Sequence, residues 1–139
     1  MSLVLDSSVT LAWIYAEETT DPVRDVLSPV EEDSAVVPTL WRLEVANGLL
    51  IAVRRGRITA KFRTEVLTNL VLLDIATDPH GDVFAWSTTL QLADRFRLTL
   101  YDAVYLELAQ RRSLPLASLD KDLRAAAPLL GLTLLGTAA

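Results

Sequence analysis

Four acidic residues stand where short apolar runs end or helical patterns begin. Asp6 follows Leu3-Val4-Leu5 and precedes Ser7-Ser8, and Asp120 follows Leu116-Ala117-Ser118-Leu119. Glu44 interrupts the apolar segment that starts at Leu40, and Asp102 sits in Leu100-Tyr101-Asp102-Ala103-Val104-Tyr105. Carboxylates gathered in one place repel and raise one another's pKa unless a cation lies between them. Their oxygens are hard ligands of the kind Mg²⁺ and Mn²⁺ take. Such an ion can acidify a bound water and clamp phosphate oxygens during an in-line displacement. The chain has no cysteine nucleophile, and its single histidine, His80, lies in a Pro-Gly turn where plain exposure is the ordinary reading. Metal-assisted phosphodiester hydrolysis is the chemistry this inventory supports best.

Each acid also has a structural alternative. Asp6 and Asp120 each come between an apolar run and a helical pattern, a good place for a helix N-cap. Thr99 and Asp102 have the spacing of a weak capping box, with the acid near a helix N-terminus. Glu44 could belong to a solvated stripe, since Leu40, Glu44, Asn47, Ile51, Arg54 and Arg55 share an arc of roughly 100° on a helix. Asp122 is either a first-turn complement to the helix dipole or a spare ligand beside Asp120. The four together are harder to explain away, because three lie at strand ends or helix starts.

The elements that must position them read as alternating strands and helices. Strands are expected at Leu3–Leu5, Ser34–Val37, Leu73–Ala76, Leu114–Ser118 and Leu132–Leu135, as short apolar runs bounded by turn residues. Helices are expected from Ser7 to about Glu17 and, opened by Pro22, from Val23 to about Val30, before an acidic turn Glu31-Glu32-Asp33. Thr39 should cap Leu40–Arg55, with Gly56 just past its end. Thr59 should open a helix to about Leu72 with Phe62, Val66, Leu67, Leu70 and Val71 as its apolar stripe. Further helices cover Asp82–Phe96, Leu100–Arg112 after Thr99, and Lys121–Leu130 before Gly131. The expected class is α/β, with a central, mainly parallel sheet of about four to five short strands wrapped by helices. If the strands are parallel, Asp6 lies at a carboxyl edge, where such sheets place ligand sites. Leu40–Leu72 forms a helical hairpin inserted between strands.

Composition bounds the rest. A chain of 139 residues, 51% hydrophobic and 22% charged, fits one globular domain spanning residues 1–139. Without cysteine, disulfides and thiolate metal sites are excluded. No apolar run approaches the ~18 residues of a membrane span, and the N-terminus lacks the basic start of a signal peptide, so a cytoplasmic protein is expected. The net charge of -5 argues against general nucleic-acid binding, but not against a nuclease whose acids are gathered in a metal site.

In four pieces the chain resembles the PIN domain family, and within it the VapC-type toxin ribonucleases of type II toxin–antitoxin pairs. The pieces are Leu3-Val4-Leu5-Asp6-Ser7-Ser8-Val9, Glu44-Val45-Ala46-Asn47-Gly48-Leu49, Leu100-Tyr101-Asp102-Ala103-Val104-Tyr105-Leu106 and Ser118-Leu119-Asp120-Lys121-Asp122-Leu123. Their order and the chain length match a whole PIN domain. The resemblance implies that Asp6 and Asp102 are the principal ligands of Mg²⁺ or Mn²⁺, with Glu44 and Asp120 completing the cluster directly or through water. Ser8 would support Asp6 by hydrogen bonding and Asn47 would line the site. Ser118 stands where the family more often has Thr, which keeps the hydroxyl. The implied reaction is endonucleolytic cleavage of RNA by metal-activated water, leaving 5′-phosphate and 3′-hydroxyl ends. Arg54, Arg55 and Arg57 are candidate phosphate contacts, or else cations complementing a helix C-terminus. The implied partners are an antitoxin whose tail blocks the site and a second copy in a homodimer, often formed through the helical hairpin.

Rival readings fit less well. A haloacid-dehalogenase-like phosphatase needs a second acid two residues after the first, and position 8 is Ser8. A receiver domain needs adjacent acids at the first strand and a further Asp at a middle strand end; Asp6 stands alone and Asp74 is poorly placed. A PIN-like module that only binds partners would be marked by loss of an acid, and all four are present.

Overall fold

The computed structural model describes residues 2–137. Among them, five short strands make one parallel sheet in the order β3-β2-β1-β4-β5. The strands are β1 (Val4–Leu5), β2 (Ala35–Val37), β3 (Ile75–Thr77), β4 (Leu116–Ala117) and β5 (Leu134–Leu135). Helices fill the connections: α1 (Ser7–Ala12), α2 (Asp21–Asp33), α3 (Leu40–Arg54), α4 (Ala60–Val71), α5 (Leu90–Phe96), α6 (Leu100–Arg112) and α7 (Lys121–Ala126). The α/β class and the parallel sheet are as the sequence indicates, and α3 and α4 form the expected hairpin between β2 and β3.

The sheet is wholly parallel and its central strands are covered on both faces, which is why they read as unbroken apolar runs. Val4, Leu5, Val36, Val37, Leu116 and Ala117 are all buried, packed with Val9, Val45, Leu49, Ala103, Leu106 and Leu123 from the surrounding helices. Chain order reverses at β1: the chain moves outward through β2 and β3, then returns to lay β4 on the other side. That is a topological switch point, and the carboxyl ends of β1 and β4 open onto it.

Two contacts set α3 against α1. The Trp41 indole donates to the buried Thr10 hydroxyl at 3.1 Å. At Gly48 an added Cβ would come within 2.8 Å of Leu11 Cδ1, so glycine allows the close approach. Together they bring Glu44, one turn before Gly48, toward the end of β1.

Several boundaries differ from the sequence reading. α1 stops at Ala12 rather than near Glu17, because the Thr19 hydroxyl reaches the Ala12 and Tyr15 carbonyls at 2.8 and 2.7 Å. α2 continues through Glu31-Glu32-Asp33, read above as a turn. Its buried face, Val23, Val26 and Val30, keeps helical spacing, and the acids simply face solvent. Thr39 has helical dihedrals and does not cap α3. Thr59 and Thr99 do cap, accepting from Phe62 N at 3.0 Å and Asp102 N at 3.1 Å. Residues 81–96 are helical with three pitches: a 3₁₀ turn (Gly81–Phe84), a π turn (Ala85–Thr89) and then α5. After α7 the chain tightens into a 3₁₀ turn, Ala127–Leu130, where Pro128 lacks the N–H that an α-helix would use.

The apolar stripe expected on α4 is only partly covered. Val66 and Leu70 pack on the core, whereas Phe62, Leu67 and Val71 are exposed. Among the described residues, no helix is long and apolar enough to cross a membrane.

Candidate active site

Asp6 leaves β1 at the switch point, with its backbone N–H still paired to Ala117 of β4. It is 4% exposed. Although it occupies the N-cap position of α1, its side chain makes no capping bond, so the structural alternative fails for this residue. Its Oδ2 instead accepts two short hydrogen bonds, from Ser8 Oγ and from Ser118 Oγ, each 2.7 Å. Ser8 Oγ in turn accepts from Leu119 N at 2.9 Å, and Ser118 Oγ from Asp120 N at 3.0 Å. The two serines thus tie the loop after β4 to the acid after β1. Ser7 reaches Oδ1 only at 3.5 Å, so that oxygen is the less committed of the pair.

Glu44 comes from the first turns of α3 and is half-buried. Its Oε1 accepts from the Tyr105 phenol at 2.5 Å and from Ser7 Oγ at 3.3 Å. It is not a solvated stripe residue. Asp102 and Tyr105 are three apart on α6, hence neighbours on one face. Asp120 caps α7, with Oδ2 accepting from Leu123 N at 2.9 Å. For Asp120 the capping alternative therefore holds, and it coexists with a place beside the other acids.

The carboxylates form one electrostatic group. Burial first, and then the charge of Asp120, pushes Asp6 above the ordinary carboxylate range, against the lowering effect of Ser8 and Ser118. Glu44 is raised mainly by burial, then by Asp6 and Asp102, with the Tyr105 and Ser7 bonds opposing. Asp102 is raised by burial, then by Asp120 and Asp6, and least by Asp122. The named charges acting on all three belong to other acids. Asp120 thus weighs more on the group than Asp122, which is exposed.

A group of hard anionic oxygens that raise one another's pKa suits a divalent cation. Among the described residues no three of these groups converge into a ready-made cage. Mg²⁺ does not require one, because it keeps several waters and takes one or two carboxylates together with substrate phosphate. The donor set fits such an ion.

Other candidates lie further off. Asn47 is exposed and, among the described residues, makes no hydrogen bond to the acids. Arg54 and Arg55 are exposed at the end of α3, and a rise of 1.5 Å per residue puts Arg54 about 15 Å along the axis from Glu44. Arg57 is exposed and engaged within the chain. It pairs with Glu17 at 2.6 Å and Glu18 at 3.4 Å, and its guanidinium stacks 3.5 Å over the Tyr15 ring. His80 is exposed, as expected.

The sequence reading missed Ser7 and Tyr105. Tyr105 stands three residues after Asp102, and that spacing was the available signal. Its partner is on another helix, 61 positions away in the chain.

Comparison with known proteins agrees with this architecture. The family model described as PIN domain matches residues 3–129. Ribonuclease VapC3 of Pyrobaculum aerophilum is 29% identical over 123 residues, covering 88% of this chain and 92% of its own. The crystal structure of PAE2754 from Pyrobaculum aerophilum superposes with a TM-score of 0.70 at 22% identity, covering 96% of this chain and 83% of that one. VapBC2 from Rickettsia felis, bound to a DNA fragment from its promoter, superposes with a TM-score of 0.65 at 13% identity, covering 96% and 97%. With the parallel sheet, the acids at its switch point and a family match over nearly the whole length, the chain belongs to the PIN domain family.

Proposed function

We propose that this protein is a VapC-type endoribonuclease, the toxin of a type II toxin–antitoxin pair, using Mg²⁺ or Mn²⁺ at the acidic switch-point site. The observation that carries this reading is the arrangement around Asp6. A buried carboxylate is held by two hydroxyls on one oxygen and coupled by charge to three further acids from three other elements. Likeness to Ribonuclease VapC3 supports the substrate class.

In this reading Asp6 and Asp102 would hold the ion, with Glu44 and Asp120 completing the set directly or through water. When bound, the ion supplies an acidified water and offsets charge on the phosphate. Ser8 and Ser118 keep Asp6 in one rotamer. Arg54 and Arg55 contact the RNA backbone away from the cleavage point. Water attacks phosphorus and the bond to O3′ breaks, which leaves 3′-hydroxyl and 5′-phosphate ends.

The protein acts in the cytoplasm as a homodimer and pairs with an antitoxin whose tail enters the acidic site. VapBC2 was solved with promoter DNA. For a chain of net charge -5, DNA contact falls to the antitoxin.

The test uses antitoxin-free protein and a total-RNA pool containing the cognate RNA, with Mg²⁺, with Mn²⁺ and with EDTA, followed by end mapping. Metal-dependent cuts with 5′-phosphate ends, absent in Asp6→Asn and Asp102→Asn, are expected. Cuts that survive either substitution overturn the site assignment. Silence on cognate RNA, joined to a melting temperature indifferent to Mg²⁺, points instead to a catalytically silent binding module.

A further inference from the structure

Tyr105 is the largest of the fully buried side chains. A buried phenol needs a hydrogen-bond partner, and Tyr105 finds it in Glu44 Oε1, 2.5 Å away on α3. Ser7 Oγ lies 3.3 Å from the same Oε1 and 3.5 Å from Asp6 Oδ1, so its single proton can serve either acid. Oε1 therefore has two donors, whereas Oε2 accepts from none among the described residues. The pattern parallels Asp6, where Ser8 and Ser118 occupy Oδ2 and leave Oδ1 less committed. Each acid is held by one oxygen, and the other remains for a ligand. The helix that carries Asp102 also carries the phenol that restrains Glu44.

We propose that Tyr105 is a positioning residue for the metal site: its phenol locks Glu44 through Oε1 and leaves Oε2 to meet a divalent cation or its water. The inference rests on the metal-site reading above. Restraining a ligand in this way raises metal affinity because the carboxylate need not be ordered on binding. Loss of such an outer partner typically costs 10–100-fold in affinity. The competing account is that Glu44 merely satisfies a buried tyrosine and takes no part in metal binding.

The test is Mn²⁺ titration of EDTA-stripped, full-length protein, followed by the electron paramagnetic resonance of free Mn²⁺, with RNA cleavage measured against Mn²⁺ concentration. Tyr105→Phe should weaken Mn²⁺ binding roughly 10-fold or more, and the half-saturating Mn²⁺ for cleavage should rise by the same factor. KM for RNA at saturating Mn²⁺ should be unchanged. Glu44→Gln, which keeps an oxygen for the phenol, should also weaken binding, and Tyr105→Phe added to it should bring no further loss. Wild-type affinity in Tyr105→Phe overturns the inference, as do penalties that add in the double variant. Wild-type affinity in Glu44→Gln overturns it too, whether or not Tyr105→Phe folds. Absence of Mn²⁺ binding to the wild type overturns the metal-site reading itself, and this inference with it.

Discussion

Ser118→Ala deletes one oxygen and leaves the backbone of β4 untouched. That oxygen is fully buried, donates to Asp6 Oδ2 at 2.7 Å and accepts from Asp120 N at 3.0 Å. A hydrogen bond to a charged group contributes about 1.5–3 kcal/mol and one between neutral groups about 0.5–1.5 kcal/mol. Asp6 keeps Ser8, so no orphaned charge results. The combined loss is about 2–4.5 kcal/mol, a large share of the roughly 5–15 kcal/mol typical of a domain. The assay is urea unfolding at pH 7 in EDTA, which removes stabilisation by bound metal. The effect should depend on pH in a definite sense. Asp6 titrates above its ordinary value in the folded state, so its contribution favours folding below the unfolded pKa and is lost as pH rises through the folded one. Removing Ser118 takes away a bond that lowers that pKa, so the gap between wild type and Ser118→Ala should be widest at neutral pH and narrow toward pH 4. A change below about 0.5 kcal/mol at pH 7, with an unchanged denaturant slope, or a gap that widens in acid, would refute the reasoning.

Two further substitutions probe the frame. The carboxylate of Asp78, 1% exposed, is gripped by Arg111 at 2.7 Å and Arg112 at 3.1 Å, and Arg111 also binds the buried Glu107. Asp78→Ala should cost about 2–3 kcal/mol, less than the 3–5 kcal/mol of a fully buried pair, because both arginines keep contact with solvent. The Arg111 guanidinium first, and Arg112 with it, holds Asp78 below its ordinary pKa. Its contribution is therefore present above the unfolded value and lost as pH falls through the folded one, and the penalty measured by urea titration should shrink in acid. Ser34 ends α2 at φ 91° and ψ 172°, a region open essentially to glycine. Ser34→Gly should raise stability by about 1 kcal/mol and the melting temperature by a few degrees, read by thermal unfolding with and without Mg²⁺.

The boundaries that sequence missed share a cause. The acidic run Glu31-Glu32-Asp33 has the composition of a turn, yet Val23, Val26 and Val30 carry the helix through it. The pattern Val9-Thr10-Leu11-Ala12-Trp13-Ile14 continues as a helix on paper, but Thr19 reaches back to end it. In each case a local pattern competed with a group that is distant in sequence and near in space.

By itself the sequence determined the class of fold and singled out the four acids as candidates, because apolar periodicity and the residues that break it are local properties. It also determined the hard-oxygen character of the site, since cysteine is absent and the only histidine lies in a turn. Only the tertiary structure decided that β4 lies beside β1, so that Ser118 meets Asp6 across 112 positions of chain. It likewise decided that Asp6 does not cap its helix, that Asp120 does, and that Tyr105 holds Glu44. A carboxylate's role depends on which donors reach each of its oxygens, and that is set by the packing of elements far apart in the chain.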